Sequence, residues 1–108
     1  MTDNARANAR NRGKVWEREV AKDLGTKRTG PTGMDDADII HDTLAVECKA
    51  YGRIAFRAAD WQQAKDNAKG KVPILAIKPK GAKRDAIVIM SYDYFVALHT
   101  DREEQNGS

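Results

Sequence analysis

Residues 37–50, ADIIHDTLAVECKA, constrain the fold more than any other stretch of this chain. Ala37 to His41 reads as one short strand, Asp42-Thr43 as a tight turn, and Leu44 to Ala50 as a second strand. Successive side chains on a strand point to opposite faces. Leu44, Val46 and Cys48 therefore share one face, and Glu47 and Lys49 share the other. An acid and a base on an otherwise apolar strand are costly to bury unless they are paired or used. Asp38, on the preceding strand, comes within reach of Glu47. Two converging carboxylates beside an ammonium suit a hard divalent cation and a phosphate.

The flanking segments supply helices. Trp16, Val20 and Leu24 are four apart and predict an amphipathic helix over Gly13 to Gly25, with Gly25 as its C-terminal cap. Glu17 lies at the edge of that stripe, where it either points over the sheet or simply pairs with a lysine. The residues before it, 1–12, are rich in Asn, Ala and Arg and read as a flexible basic arm. Its Arg6, Arg10 and Arg12 either touch a nucleic-acid backbone or remain a solvated tail. Thr26 to Gly33 begins as a short strand and ends in a Gly-Pro loop, with Lys27 and Arg28 just before the loop.

After the central strand, Arg57 to Lys69 predicts a second helix with Trp61, Ala64 and Ala68 as its buried stripe and Gly70 as its stop. Gln63 sits beside that stripe, as a site residue or as a surface glutamine. Val72 to Lys78 is an almost wholly apolar strand with Pro73 near its start, where a missing N–H does little harm. Asp85 to Met90 reads as a further strand. Ser91 or Asp93 caps a short last helix, Tyr92 to His99, expected to pack Phe95, Val96 and Leu98. Residues 100–108 form a polar tail. The domain proper is thus 13–99, an α/β fold with a mixed central sheet flanked by helices.

Composition narrows the class. The 108 residues suit one domain, and 41% hydrophobic with 32% charged residues describes a folded, soluble chain. The net charge of +3 and pI near 9.1 are compatible with a polyanionic partner. A single cysteine, Cys48, rules out an internal disulfide and a zinc cluster, and Cys48 reads as a small buried hydrophobe. No apolar run reaches membrane-spanning length, and the expected compartment is the cytoplasm. His41 and His99 fall in no metal or nucleophile spacing, and no Ser-His-Asp set, Walker loop or dinucleotide fingerprint is present.

Asp38 followed by Glu47-Cys48-Lys49 resembles the PD-(D/E)xK nuclease superfamily, with Ala37 standing where the motif's Pro would be. Glu17-Arg18 on the first helix, the 57–69 helix and the Ile74–Lys78 strand extend the likeness to archaeal-type Holliday-junction resolvases over Gly13 to about Leu98. The resemblance implies a restriction-endonuclease-like core. It further implies a metal-dependent, structure-selective endonuclease that leaves a 5′-phosphate and a 3′-hydroxyl. Asp38 and Glu47 would hold Mg²⁺ (Mn²⁺ substituting), with the Cys48 carbonyl a further ligand and Glu17 completing the site. Lys49 would position or deprotonate water, or stabilise the pentavalent phosphate. Arg10, Arg12, Arg18, Lys27, Arg28, Thr32 and Gln63 would form the DNA surface.

A four-way junction is cut on two symmetric strands, so one site per chain implies a homodimer on branched DNA. Two other readings stay open: a nuclease of the same superfamily acting on flaps, forks or ends, of phage or mobile-element type, and a non-catalytic DNA-binding protein of the same fold. Intact Asp38, Glu47 and Lys49 speak against the last.

Overall fold

The structure is a computed structural model that describes residues 2–27, 36–81 and 85–107, with side chains over 10–27, 36–81 and 85–100. In chain order the elements are α1 (Thr2–Asp23), β1 (Ile39–Ile40), β2 (Leu44–Tyr51), α2 (Ala58–Asp66), β3 (Val72–Pro79), β4 (Ile87–Ile89) and α3 (Tyr92–Gly107). Together they make a small α/β domain whose four-stranded mixed sheet runs in the order β1-β2-β3-β4.

The expected hairpin is present but lopsided. His41 donates its N–H to the Leu44 carbonyl at 2.8 Å, closing the Asp42-Thr43 turn. β1 pairs antiparallel with β2, Ile39 opposite Val46 and Ile40 opposite Ala45. Only Ile39 and Ile40 hold strand geometry, against the five residues expected. β2 and β3 are parallel over their full length, from Leu44 opposite Val72 to Tyr51 opposite Pro79. A parallel pair needs a crossover, and α2 is that crossover. Pro73 is the second residue of β3, near its start as expected. β4 lies antiparallel on the outer edge of β3.

Each sheet face carries its own apolar layer. Trp16, Val20 and Ala21 of α1 pack on Ile39, Val46, Cys48, Ile74 and Ala76, as the stripe on α1 predicts. The Trp16 indole N–H donates to the Ala76 carbonyl at 3.0 Å, tying α1 to β3. On the other face Ala64 of α2 packs on Leu75 and Ile77, with Trp61 and Tyr51 alongside. The period of two along β2 and β3 thus meets a helix on both sides, which explains their near-continuous apolar sequence.

The helix ends follow the capping rules better than the helix starts. At the end of α1, Thr26 N–H reaches the Ala21 carbonyl at 2.8 Å and Gly25 N–H reaches Lys22 at 3.1 Å. This is a Schellman motif, with Gly25 at φ +68° where a side chain would be strained. The expected short strand at Thr26 is replaced by a bend, because the motif turns the chain sharply there. The start of α1 departs further from expectation: it begins at Thr2, not Gly13. Ala5, Ala7 and Ala9 alternate with Arg6, Asn8 and Arg10 in a stretch without Pro, and one internal Gly costs only about 1 kcal/mol, too little to stop a helix anchored downstream.

α2 stops at Asp66 instead of Lys69. Lys69 at φ +49° and Gly70 at φ +89° reverse the chain into β3, and Lys69 pairs with Asp36 at 2.8 Å. Ser91 is the cap of α3, its hydroxyl accepting the Tyr94 N–H at 3.1 Å. α3 continues to Gly107. The packing residue on α3 is Tyr94, not Phe95 or Leu98, which remain 49% and 43% exposed.

Candidate functional site

Continuing the β1–β2 register by one step sets Asp38 against Glu47, and directly opposed residues of an antiparallel pair share a face. The face is that of α2. Asp38 Oδ2 also accepts the Cys48 backbone N–H at 2.8 Å, which anchors its carboxyl to β2. Asp38 and Glu47 are therefore brought together as the sequence predicts, and Lys49 follows on the same face.

Glu47 is the one charged residue buried among the described residues, at 2% exposure. Its carboxyl is pushed up from 4.5 to about 7. Burial is the largest cause, and the charge of Asp38 and a hydrogen bond between the two carboxyls push in the same direction. The hydrogen bond from Asn67 and the charge of Lys49 oppose it. An acid held near neutrality beside a second carboxyl is the kind of perturbed group found at functional sites.

The α2 helix answers β2 residue by residue. Asn67 Nδ2 donates to Glu47 Oε1 at 3.1 Å, and Lys49 Nζ donates to Gln63 Oε1 at 3.1 Å. The Tyr51 hydroxyl donates to Asp60 Oδ2, and the Arg57 guanidinium lies 4.6 Å from the Tyr51 ring centre. Burial, followed by the hydrogen bond and charge of Asp60, pushes the Tyr51 phenol up to about 12, with Arg57 acting against them. The outcome is a ladder of polar contacts: Glu47, Lys49 and Tyr51 from the strand meet Asn67 at the C-cap of α2 and Gln63 and Asp60 within it. Positions 60, 63 and 67 recur at helical spacing, each one residue before the apolar stripe 61, 64 and 68.

Gln63 is thus joined to Lys49. Reading the sequence misses Tyr51 on β2 and, on the helix side, Asp60 and Asn67. The signal for Asp60 and Asn67 was the polar stripe itself, offset by one residue from the apolar one.

The other predicted residues lie apart from this ladder. Cys48 is buried on the α1 face, as expected. Burial, with the charges of Asp38, Glu17 and Glu47, drives its thiol far up, so it is no nucleophile at neutral pH. Glu17 is half-buried on α1, and its charge bears on the Cys48 thiol. α1 covers the face opposite the Glu47–Lys49 ladder. Among the described residues no three His, Cys, Asp or Glu side chains are grouped so as to hold a metal ion. Arg10, Arg18 and Lys27 are exposed, Arg12 is half-buried, and Arg28 and Thr32 lie outside the described residues.

The chain matches no protein-family model, no curated protein and no solved structure at a significant level. No helix of the described residues is long and apolar enough to cross a membrane.

Proposed function

We propose that this chain is a metal-dependent DNA endonuclease of the restriction-endonuclease-like type, acting on branched DNA as a Holliday-junction resolvase. The observation that carries the reading is the meeting of Asp38 and Glu47 across the hairpin, with Lys49 two residues on and all three directed to one face. A buried acid facing a second acid is destabilised by it, and a divalent cation between them would relieve that repulsion. Two carboxyl ligands suit Mg²⁺, which keeps several waters and takes further oxygen ligands from a phosphate. They do not suit structural zinc, which needs four protein donors.

Asp38 and Glu47 would hold the ion. When bound it supplies positive charge at the scissile phosphate and lowers the pKa of water. The protein's own groups do the rest. The Cys48 N–H fixes the Asp38 carboxyl, and Asn67 fixes Glu47. Gln63 holds the Lys49 ammonium at 3.1 Å, where it stabilises negative charge developing on the phosphate; as the neutral amine the same group would take a proton from the attacking water. Exposed Arg10, Arg18 and Lys27 add sequence-independent attraction for phosphates.

The test is cleavage of labelled four-way, three-way, flap and linear duplex DNA in Mg²⁺, with every strand mapped. The expected result is paired, symmetric cuts in the four-way junction by a homodimer. Asp38→Asn abolishes cutting but leaves binding within a few-fold, because phosphate contacts dominate affinity. Lys49→Ala slows cutting on the order of 10²-fold. Full activity in Asp38→Asn removes the site assignment, whereas a monomer that prefers linear duplex removes the resolvase reading and leaves a nuclease.

A further inference from the structure

A second feature lies at the opposite end of the parallel pair from the hairpin turn. A cleft of about 410 Å³ opens where β2 and β3 finish, between their last residues and the exposed side of α1. Its walls carry Arg12, Lys78 and Lys80, and none of its lining residues is acidic. Val15, which is 46% exposed, and Pro79 give it an apolar side. Arg12 Nε is buried without a hydrogen-bond partner, the one such side-chain nitrogen or oxygen among the described residues. A buried donor left unpaired is rare in folded proteins, and a turn of the Arg12 side chain would bring it to a ligand in the cleft.

We infer that this cleft is a binding site for a phosphate group and the nucleoside attached to it. Three cations on described walls that carry no acid match a phosphate in charge, and a guanidinium is the side chain best shaped to grip its oxygens. The volume falls in the range of small-ligand pockets, and the place is the usual one for α/β sheets, outside the carboxyl ends of parallel strands. Gly81 at φ +122° has open space where a Cβ would stand, so the backbone after β3 can lie close to the ligand. The apolar wall of Val15 and Pro79 takes the sugar or base.

The phosphate comes either from a nucleic-acid strand or from a free nucleotide. The strand is the source that fits the nuclease reading, on which that part of the inference rests. Tyr51 lines the cleft and lies two residues beyond Lys49 on β2, about 7 Å along the strand. A strand seated here lies on the α1 side of the sheet and would round the end of β2 to reach the Lys49 ammonium on the α2 face.

The experiment is an amide-resolved NMR titration of the full chain in EDTA, so that no cleavage is needed. The probes are a nucleoside 5′-monophosphate, the same nucleoside without phosphate, and a single-stranded hexanucleotide. The expected result is movement of the Val15, Tyr51 and Gly81 amides with both phosphate-bearing probes and not with the bare nucleoside. Tighter binding of the hexanucleotide identifies a strand, and tighter binding of the monophosphate identifies a free nucleotide. Arg12→Gln weakens both by roughly tenfold or more, the loss of one charge-assisted contact. Lys80→Gln, on the exposed rim, weakens them without touching the packed core. Unmoved cleft amides, equal shifts with the bare nucleoside, or unchanged affinity in both variants overturns the site. Cleavage assays bear on the nuclease reading alone, so the two can fail separately.

Discussion

Replacing Glu47 by Gln isolates the energetic cost of the buried acid. Its carboxyl titrates near 7 in the folded chain against 4.5 for an ordinary glutamate, chiefly because it is buried and secondly because Asp38 faces it. The folded state therefore holds this proton more tightly than the unfolded state. Stability from this group is full below about pH 4.5, falls as pH rises toward 7, and is gone above. At 1.36 kcal/mol for each pH unit of difference, the loss is about 3 kcal/mol.

Glutamine has the same shape, cannot ionise, and can still accept the Asn67 N–H. The variant should therefore match the parent within about 1 kcal/mol at pH 4.5 and exceed it by about 2–3 kcal/mol at pH 8. For a domain of this size that is a rise in Tm of roughly 10 °C. Urea unfolding in EDTA at several pH values, followed by the fluorescence of buried Trp16, measures it, and the difference between the two proteins cancels every other titrating group. A difference that stays constant with pH, or a parent more stable at pH 8, would refute the cost assigned to Glu47. Adding Mg²⁺ at pH 8 should restore stability to the parent and not to the variant, since only the parent keeps the carboxyl pair.

Three further outcomes follow from particular contacts. Asn67→Ala removes a donor that favours ionised Glu47, so the fall in stability with pH should shift to higher pH; an unshifted curve would show that the 3.1 Å contact is not made in solution. Gly13→Ala should stabilise the protein by about 0.5–1 kcal/mol in thermal unfolding, because the position is helical and a Cβ there meets nothing within 4 Å. A loss of stability would instead mean that this turn of α1 is not helical. Trp16→Phe leaves the Ala76 carbonyl without its indole partner and should cost about 1–3 kcal/mol by denaturant titration, a negligible change speaking against that bond.

Several parts of this architecture were decided by local pattern alone. Alternation along 44–50 dictated that Glu47 and Lys49 would share one face and Cys48 the other, because the period of a strand is set by its backbone and not by its neighbours. The Asp42-Thr43 turn and the Gly25 cap were legible for the same reason, each depending on a few adjacent residues. Other features depend on how elements meet. Helical spacing groups Asp60, Gln63 and Asn67 on one side of α2, but which of them faces Glu47 depends on the angle and offset at which α2 crosses β2. Glu17 lies near the apolar stripe of α1, yet only the choice of sheet face for α1 places it beside Cys48. The cleft at the strand ends joins residues from α1, β2 and β3 far apart in the chain, and no single stretch announces it. Periodicity tells a side chain which way to point; the tertiary structure decides what stands opposite, because packing angles arise from the summed shape of both surfaces.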